Sequence, residues 1–235
     1  MKILISGATG GIGKAICEQL LHAGHQLLAL CRHPENIMIK HENYQPYAVD
    51  FADVKAIETT LKSILSQQQS LDAVIIAAGY GQFAQLEQWS FKAMQDMMQV
   101  NFLSQALLIK LCLPLLVQTE NSKIIAIGSE AAHQGAKKGS MYCASKFALK
   151  GFIQSLRAEC VSKGIAVSMV NPGMVATNFF NALNFTHGDA KENAIQAAQV
   201  ADMVSLLMNT ENNCVIEEIN CQPLKKVIAK KESLL

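Results

Sequence analysis

A tyrosine and a lysine four residues apart, Tyr142-Cys143-Ala144-Ser145-Lys146, begin thirteen residues after Ser129. On a helix, positions i and i+4 lie on one face, one turn apart, so Tyr142 and Lys146 would form a pair. A tyrosine hydroxyl ionises near ~10, and proton exchange near neutrality needs a shift of about three units, or roughly 4 kcal/mol. One ammonium group about 4 Å away supplies that much at an effective dielectric near 20. The spacing therefore suits an acid/base tyrosine. A Y-x-x-x-K pattern also arises by chance, so its weight depends on what surrounds it.

Ser129 follows an apolar run, residues 123–128, that reads as a strand. In open parallel sheets the carboxyl end of a strand is where ligands bind. A serine hydroxyl there can hydrogen-bond a substrate carbonyl oxygen and stabilise the charge developing on it. Asn101 lies inside a helical pattern that starts around Met94, among Met97, Met98, Val100 and Phe102. Asparagine is a poor interior helix former. It is either a satisfied buried amide or a residue that kinks the helix and holds a water near the site.

The elements that must position these groups begin with a buried strand at Met1 to Ile5. Ser6-Gly7-Ala8-Thr9-Gly10-Gly11-Ile12-Gly13 follows, and then a helical pattern through Ile16, Leu20 and Leu21. Gly7, Gly10, Gly11 and Gly13, with Thr9 and Ile12 between them, would let the backbone approach a pyrophosphate, which the helix N-terminus favours. The spacing is G-x-x-x-G-x-G, and the strand–glycine–helix context gives it weight. The second strand, residues 26–31, should end at the adenosine ribose. It ends in Cys31-Arg32-His33, with no carboxylate until Glu35, which favours NADP(H), with NAD(H) as the alternative. Lys14 beside the loop stays open. Asp50 closes a short strand, residues 45–49, and either accepts from the adenine amino group or only begins the helix expected over 52–69.

Residues 71–79 form a buried strand running into Ala78 and Gly79, apolar throughout as suits a parallel strand covered on both faces. The helix of Tyr142 ends at Gly164, and a strand over 165–170 leads into Asn171-Pro172-Gly173-Met174-Val175-Ala176-Thr177. That proline–glycine segment faces the same ligand edge or is only a turn. Residues 178–193, with Phe179, Phe180, Leu183, Phe185 and Gly188, make either a mobile apolar lid or a packed helix pair. A helix over 200–208, a last strand over 214–220 and a basic tail complete the chain.

Half of the 235 residues are hydrophobic, 17% are charged and the net charge is +1, which points away from disorder, nucleic-acid binding and a membrane-steering field. Seven cysteines lack C-x-x-C or His/Cys ligand spacing, so no metal site or disulfide framework is expected. With the first apolar run stopping at Ser6, a reduced cytoplasmic setting is expected. The apolar stretch 102–117, broken by Gln105, Lys110 and Pro114, is shorter than a membrane span and reads as a buried helix. Strands alternating with helices, without repeat or linker, predict a single doubly wound α/β domain over 1–235 with a mainly parallel sheet.

Gly7-x-x-x-Gly11-x-Gly13, Asn101, Ser129, Tyr142-x-x-x-Lys146 and Pro172-Gly173-x-Val175-x-Thr177 together resemble the short-chain dehydrogenase/reductase family, in order and spacing, over nearly the whole chain. The resemblance implies a Rossmann-type domain that moves a hydride between nicotinamide C4 and a carbonyl or alcohol carbon. It implies Tyr142 as acid/base, with Lys146 lowering its pKa and binding the nicotinamide ribose. Ser129 would hold the substrate oxygen, and Asn101 a water in a proton relay. Pro172, Gly173, Val175 and Thr177 would line the nicotinamide side. A homodimer or homotetramer built through the helices beginning near Met94 and Tyr142 is also implied.

Two departures stand out. Ile76-Ala77-Ala78-Gly79 replaces the frequent Asn-Asn-Ala-Gly, which removes side-chain bonds that would brace the sheet, and Ser6 replaces the usual threonine. Substrate identity stays open, although Phe83, Trp89, Met174, Phe179 and Phe180 hint at an apolar or aromatic one. A dinucleotide-sensing binding protein on the same fold would be expected to carry a damaged tyrosine, lysine or serine, and all three are intact.

Overall fold

The computed structural model describes residues 1–36, 39–211 and 213–231. The central strands of a seven-stranded sheet bury both faces: Ile3, Leu4 and Ile5 of β1 (Lys2–Ser6) are fully buried, as are Val74 and Ile75 of β4 (Ala73–Ile76). Such strands need helices on either side of the sheet. The others are β2 (Gln26–Cys31), β3 (Tyr44–Ala48), β5 (Lys123–Ile127), β6 (Ala166–Pro172) and β10 (Glu218–Cys221). The spatial order is β10-β6-β5-β4-β1-β2-β3 and every pairing in it is parallel. Strand order reverses between β1 and β4, which opens a crevice at their carboxyl ends where a ligand can enter.

One apolar core packs α1 (Gly11–His22) and α6 (Ala197–Asn209) on one face through Ile16, Leu20, Val200 and Val204. The other face carries α2 (Ile57–Leu65), α4 (Ser104–Leu116) and α5 (Ser140–Cys160) through Leu61, Leu108, Ile109 and Ile153. This is the doubly wound α/β fold expected from the alternation of strands and helices.

Several boundaries differ from expectation. The helix expected over 52–69 shrinks to α2, because the Asp53 carboxylate takes the amides of Lys55 and Ala56 (both 3.0 Å) and delays the first helical turn. The last strand narrows from 214–220 to β10. The helix around Asn101 runs from α3 (Phe91–Met98), capped by Ser90 Oγ accepting from the Ala93 amide (3.1 Å), through a widened π-type turn at Gln99–Leu103 into α4. That joint run, Phe91–Leu116, has 26 residues and is long and apolar enough by length and composition to cross a membrane, contrary to the expectation drawn from 102–117 alone. Leu108, Ile109, Cys112 and Leu116 on it are fully buried against the sheet.

Residues 178–193 are not a helix pair. They carry single helical turns at Asn178–Phe180 and Lys191–Asn193 around β8 (Phe185–His187). β8 pairs antiparallel with β11 (Ile228–Lys230) in the tail, and β7 (Val175–Ala176) pairs with β9 (Ile195–Gln196). Phe179, Phe180 and Phe185 define no helical face, and the strand that β8 pairs with lies about forty positions downstream, outside any local pattern.

Candidate active site

β1 hands the chain to α1 through the glycine loop. Gly7 sits at φ 73°, and a Cβ there would lie 2.7 Å from the carbonyl carbon of Ala77 and the nitrogen of Ala78, so only glycine fits between β1 and β4. A Cβ on Gly13 would come within 2.1 Å of the Gly7 carbonyl oxygen, so the loop is folded on itself. Thr9, Gly10 and Gly11 remain exposed, and no side chain caps α1. The first-turn N–H groups of α1 are therefore directed at a position suited to an anion.

Thr177 closes the other side of this cradle. A Cβ on Gly11 would sit 2.4 Å from the Thr177 methyl carbon, so residues 172–177, leaving β6, rest on the glycine loop. Pro172 and Val175 are buried there, and Gly173 packs against Gln222, whose Oε1 a Cβ would meet at 2.3 Å. These close backbone approaches suit a dinucleotide. Among the described residues no cluster of His, Cys, Asp or Glu could hold a metal ion.

The bracing that Ile76 and Ala77 lack as side chains is supplied from elsewhere. Ser6 Oγ accepts from the amides of Ala77 (3.1 Å) and Ala78 (3.2 Å) and donates to Gln105 Oε1 (2.7 Å). Gln105 Nε2 in turn bonds Val100 O (3.2 Å) and Ser104 Oγ (3.1 Å). Sequence reasoning overlooked Gln105, although a glutamine in an apolar helix is the same signal that marked Asn101.

Asn101 is fully buried in the widened turn, so it is both a satisfied amide and the site of a helix distortion. Its Oδ1 accepts from the Tyr80 amide, and its Nδ2 donates to Tyr80 O and Ser145 Oγ, each at 3.0 Å. It therefore ties the loop after β4 to α5, the helix of Tyr142 and Lys146. A Cβ on Gly79 would lie 3.2 Å from Asn101 Oδ1 and 3.6 Å from Lys146 Nζ, which brings these three residues to one spot.

Ser129 leaves β5 as expected, its Oγ accepting from the Ala131 amide (3.1 Å). Its side chain lies near enough to the Tyr142 hydroxyl to favour loss of that proton. Phe83 covers the Tyr142 ring at 5.2 Å between centroids and Phe179 at 6.0 Å, with Trp89 and Met97 in the same buried cluster. That burial pushes the Tyr142 hydroxyl up to about 12; Ser129 opposes the rise, while Cys143 and Glu130 add to it. Lys146 is pulled down to about 8 by burial. Its Nζ lies 6.0 Å from the Tyr142 ring centroid and donates to Ile127 O (3.4 Å). The expected depression of Tyr142 by Lys146 is thus absent from this structure: apolar surroundings outweigh an ammonium held to the side.

Arg32 is exposed at the end of β2, whose Leu30 carbonyl accepts from the Gly7 amide (3.0 Å), so it borders the glycine loop. Asp50 is exposed after β3, its Oδ1 accepting from the Ala52 amide (2.9 Å), and the start of α2 belongs to Asp53 instead.

The chain matches the short chain dehydrogenase family model over residues 1–187. The protein belongs to the short-chain dehydrogenase/reductase family. It is 31% identical over 184 residues to the 3-oxoacyl-(acyl-carrier-protein) reductase of Buchnera aphidicola, covering 77% of this chain and 75% of that protein. It is 33% identical over 179 residues to an uncharacterized oxidoreductase of Schizosaccharomyces pombe, covering 75% of this chain but only 61% of that longer relative. Among solved structures it superposes on an alcohol dehydrogenase from the archaeon Thermococcus sibiricus complexed with 5-hydroxy-NADP. The TM-score is 0.83 at 23% identity, covering 96% of this chain and 98% of that one, a likeness of fold. This short-chain dehydrogenase/reductase is therefore a single-fold oxidoreductase that uses a nicotinamide dinucleotide on a small-molecule substrate.

Proposed function

We propose that this enzyme reduces a ketone or aldehyde to an alcohol with NADP(H), using Tyr142 as the proton donor. The observation that carries the reading is the Tyr142 hydroxyl, buried beside Ser129 at the carboxyl end of β5 and held in its protonated form by its surroundings. When bound, the nicotinamide supplies a hydride to the carbonyl carbon. Ser129 and Tyr142 hold the carbonyl oxygen, and Tyr142 gives its proton to that oxygen as charge develops there. Lys146, beside Gly79, would hold the nicotinamide ribose. Asn101, whose Oδ1 has a second lone pair free for a donor, would place a water behind Lys146. Pro172, Gly173, Val175 and Thr177 would border the nicotinamide ring, and residues 178–193 would close over the substrate.

NADP(H) is preferred over NAD(H) because the end of β2 presents Arg32 and no carboxylate to the adenosine ribose, where a 2′-phosphate would pair with a guanidinium. Asp50 would accept from the adenine amino group through its second carboxylate oxygen. A homo-oligomer through α4 and α5 is supported by the apolar surface groove of Leu107, Leu113, Phe152 and Leu156 between these helices. Seven free thiols, five of them buried, suit a reducing cytoplasm.

Calorimetric titration with NADPH and NADH tests the cofactor assignment. Arg32→Ala should weaken NADPH by about 1.5–3 kcal/mol, the scale of a hydrogen bond to a charged group, and leave NADH little changed. Equal losses for both cofactors would remove Arg32 from the 2′-phosphate site.

A further inference from the structure

The lid brings an aromatic ring into the position that a substrate must take. Phe179 stands on the helical turn after Thr177, and its ring rests on Gly81: a Cβ there would lie 2.3 Å from Phe179 Cζ. Gly81 is thus the floor of a notch, filled by a flat ring whose centroid lies 6.0 Å from that of Tyr142. Phe83 forms one wall, 5.2 Å from Tyr142 and 5.1 Å from Phe185 between ring centroids. Behind it, Met174, Phe180 and Leu183 are buried together.

Of the two adjacent lid phenylalanines, Phe179 is the more exposed, its ring meeting Phe180 edge-on at 5.3 Å. It is half-buried, whereas Phe180 is 7% exposed and held edge-on by Phe185 and His187 at 6.0 and 5.9 Å. Tyr142 is itself 7% exposed, so a carbonyl reaches its hydroxyl only when a covering ring gives way. Two lysines that reach the lid and the serine turn are engaged. Lys226 Nζ pairs with Glu130 (2.6 Å), the Lys231 ammonium is held by the carbonyls of Phe180 and Asn181, and His187 Nδ1 is engaged with the Gly188 carbonyl (2.8 Å). A substrate carboxylate or phosphate entering here would lose water without gaining either lysine, whereas an apolar ring gains burial.

We infer that the substrate is a neutral aryl ketone or aldehyde, or one similarly flat and apolar, whose ring replaces Phe179 in the notch over Gly81. This rests on the reading of Tyr142 and Ser129 as the carbonyl-reducing pair.

The test compares kcat/KM for acetophenone, 4-acetylbenzoate and hydroxyacetone at saturating NADPH, or NADH if only that binds, in the full chain and in Phe179→Ala. Acetophenone should exceed each of the others by about tenfold or more, the scale on which apolar pockets discriminate. In Phe179→Ala the KM for acetophenone should fall, since no ring need be displaced, with cofactor Kd unchanged. Hydroxyacetone or 4-acetylbenzoate reduced as well as acetophenone, or a KM unmoved in Phe179→Ala, would overturn the inference while leaving the reductase reading intact. Cofactor binding with no reduction of any of the three would overturn both.

Discussion

Tyr142 and Lys146 are buried one turn apart on α5, and burial moves their protons in opposite directions. The tyrosine is pushed up to about 12 and so keeps its proton, while the lysine is pulled down to about 8 and sheds one more easily. The lysine shift has a consequence for stability. Between about pH 8 and the ordinary value of 10.5, the unfolded chain holds a proton at Lys146 that the folded chain has released. Stability from this group therefore rises with pH across that window, by roughly 3 kcal/mol in total. Lys146→Met removes the titrating group, so the difference in unfolding free energy should move in favour of the wild type by about that amount between pH 7.5 and 10.5, read by urea unfolding. A constant difference across that range would mean that Lys146 is not desolvated as described. For catalysis, Tyr142→Phe should abolish carbonyl reduction while keeping cofactor affinity within about twofold, since only one hydroxyl is lost and the ring still packs on Phe83. The residue types and order of these groups were readable from the sequence. The sign of the Tyr142 shift was not, because it depends on Phe83 and Phe179, which approach from elsewhere in the chain.

At the scale of elements, the wide turn between α3 and α4 does two jobs: it seats Asn101 under Tyr80 and aims Gln105 at Ser6. The Ser6–Gln105 bond is fully buried and joins β1 to α4, and Ser6 in turn holds the amides where β4 enters the ligand edge. Gln105→Leu strands the Ser6 hydroxyl proton and should cost about 1–3 kcal/mol. For a chain of this size that is a fall of about 2–4 °C in Tm per kcal/mol, measurable by calorimetry. Replacing both partners, in Ser6→Ala with Gln105→Leu, should recover part of the loss, because a buried donor without an acceptor is worse than none. Strands and long helices were legible because apolar runs and 3.6-residue periodicity are local signals. The start of α2 was misjudged because a single Asp53 carboxylate decides it, and the wide turn has no periodicity of its own to read.

Taken whole, the molecule is wound from β1 toward both edges, and its last described residues return to the ligand edge. The tail strand β11 pairs with β8, Asn193 Nδ2 holds the Lys225 carbonyl (2.9 Å), and the Lys231 amide reaches Asn184 O (3.0 Å). The parallel sheet was legible from alternation alone, whereas this fastening was not, since it joins short segments far apart in sequence that carry little pattern. The Lys231 ammonium sits on the Phe180 and Asn181 carbonyls, at the end of the turn that carries Phe179. Removing that ammonium in Lys231→Ala leaves two carbonyls to water. With the site partly open to solvent, the packed arrangement of residues 178–193 should lose about 1 kcal/mol, a roughly fivefold change in its population. Protease cleavage between residues 178 and 193 should accelerate by about that factor when opening is fast relative to cutting, while cofactor affinity stays the same because the glycine loop makes none of these contacts. If cleavage there is unchanged, β8–β11 pairing alone holds this segment and the lysine is dispensable. If cofactor affinity falls in parallel, the tail braces the whole ligand edge through the segment after β6, which lies against both Gln222 and the glycine loop.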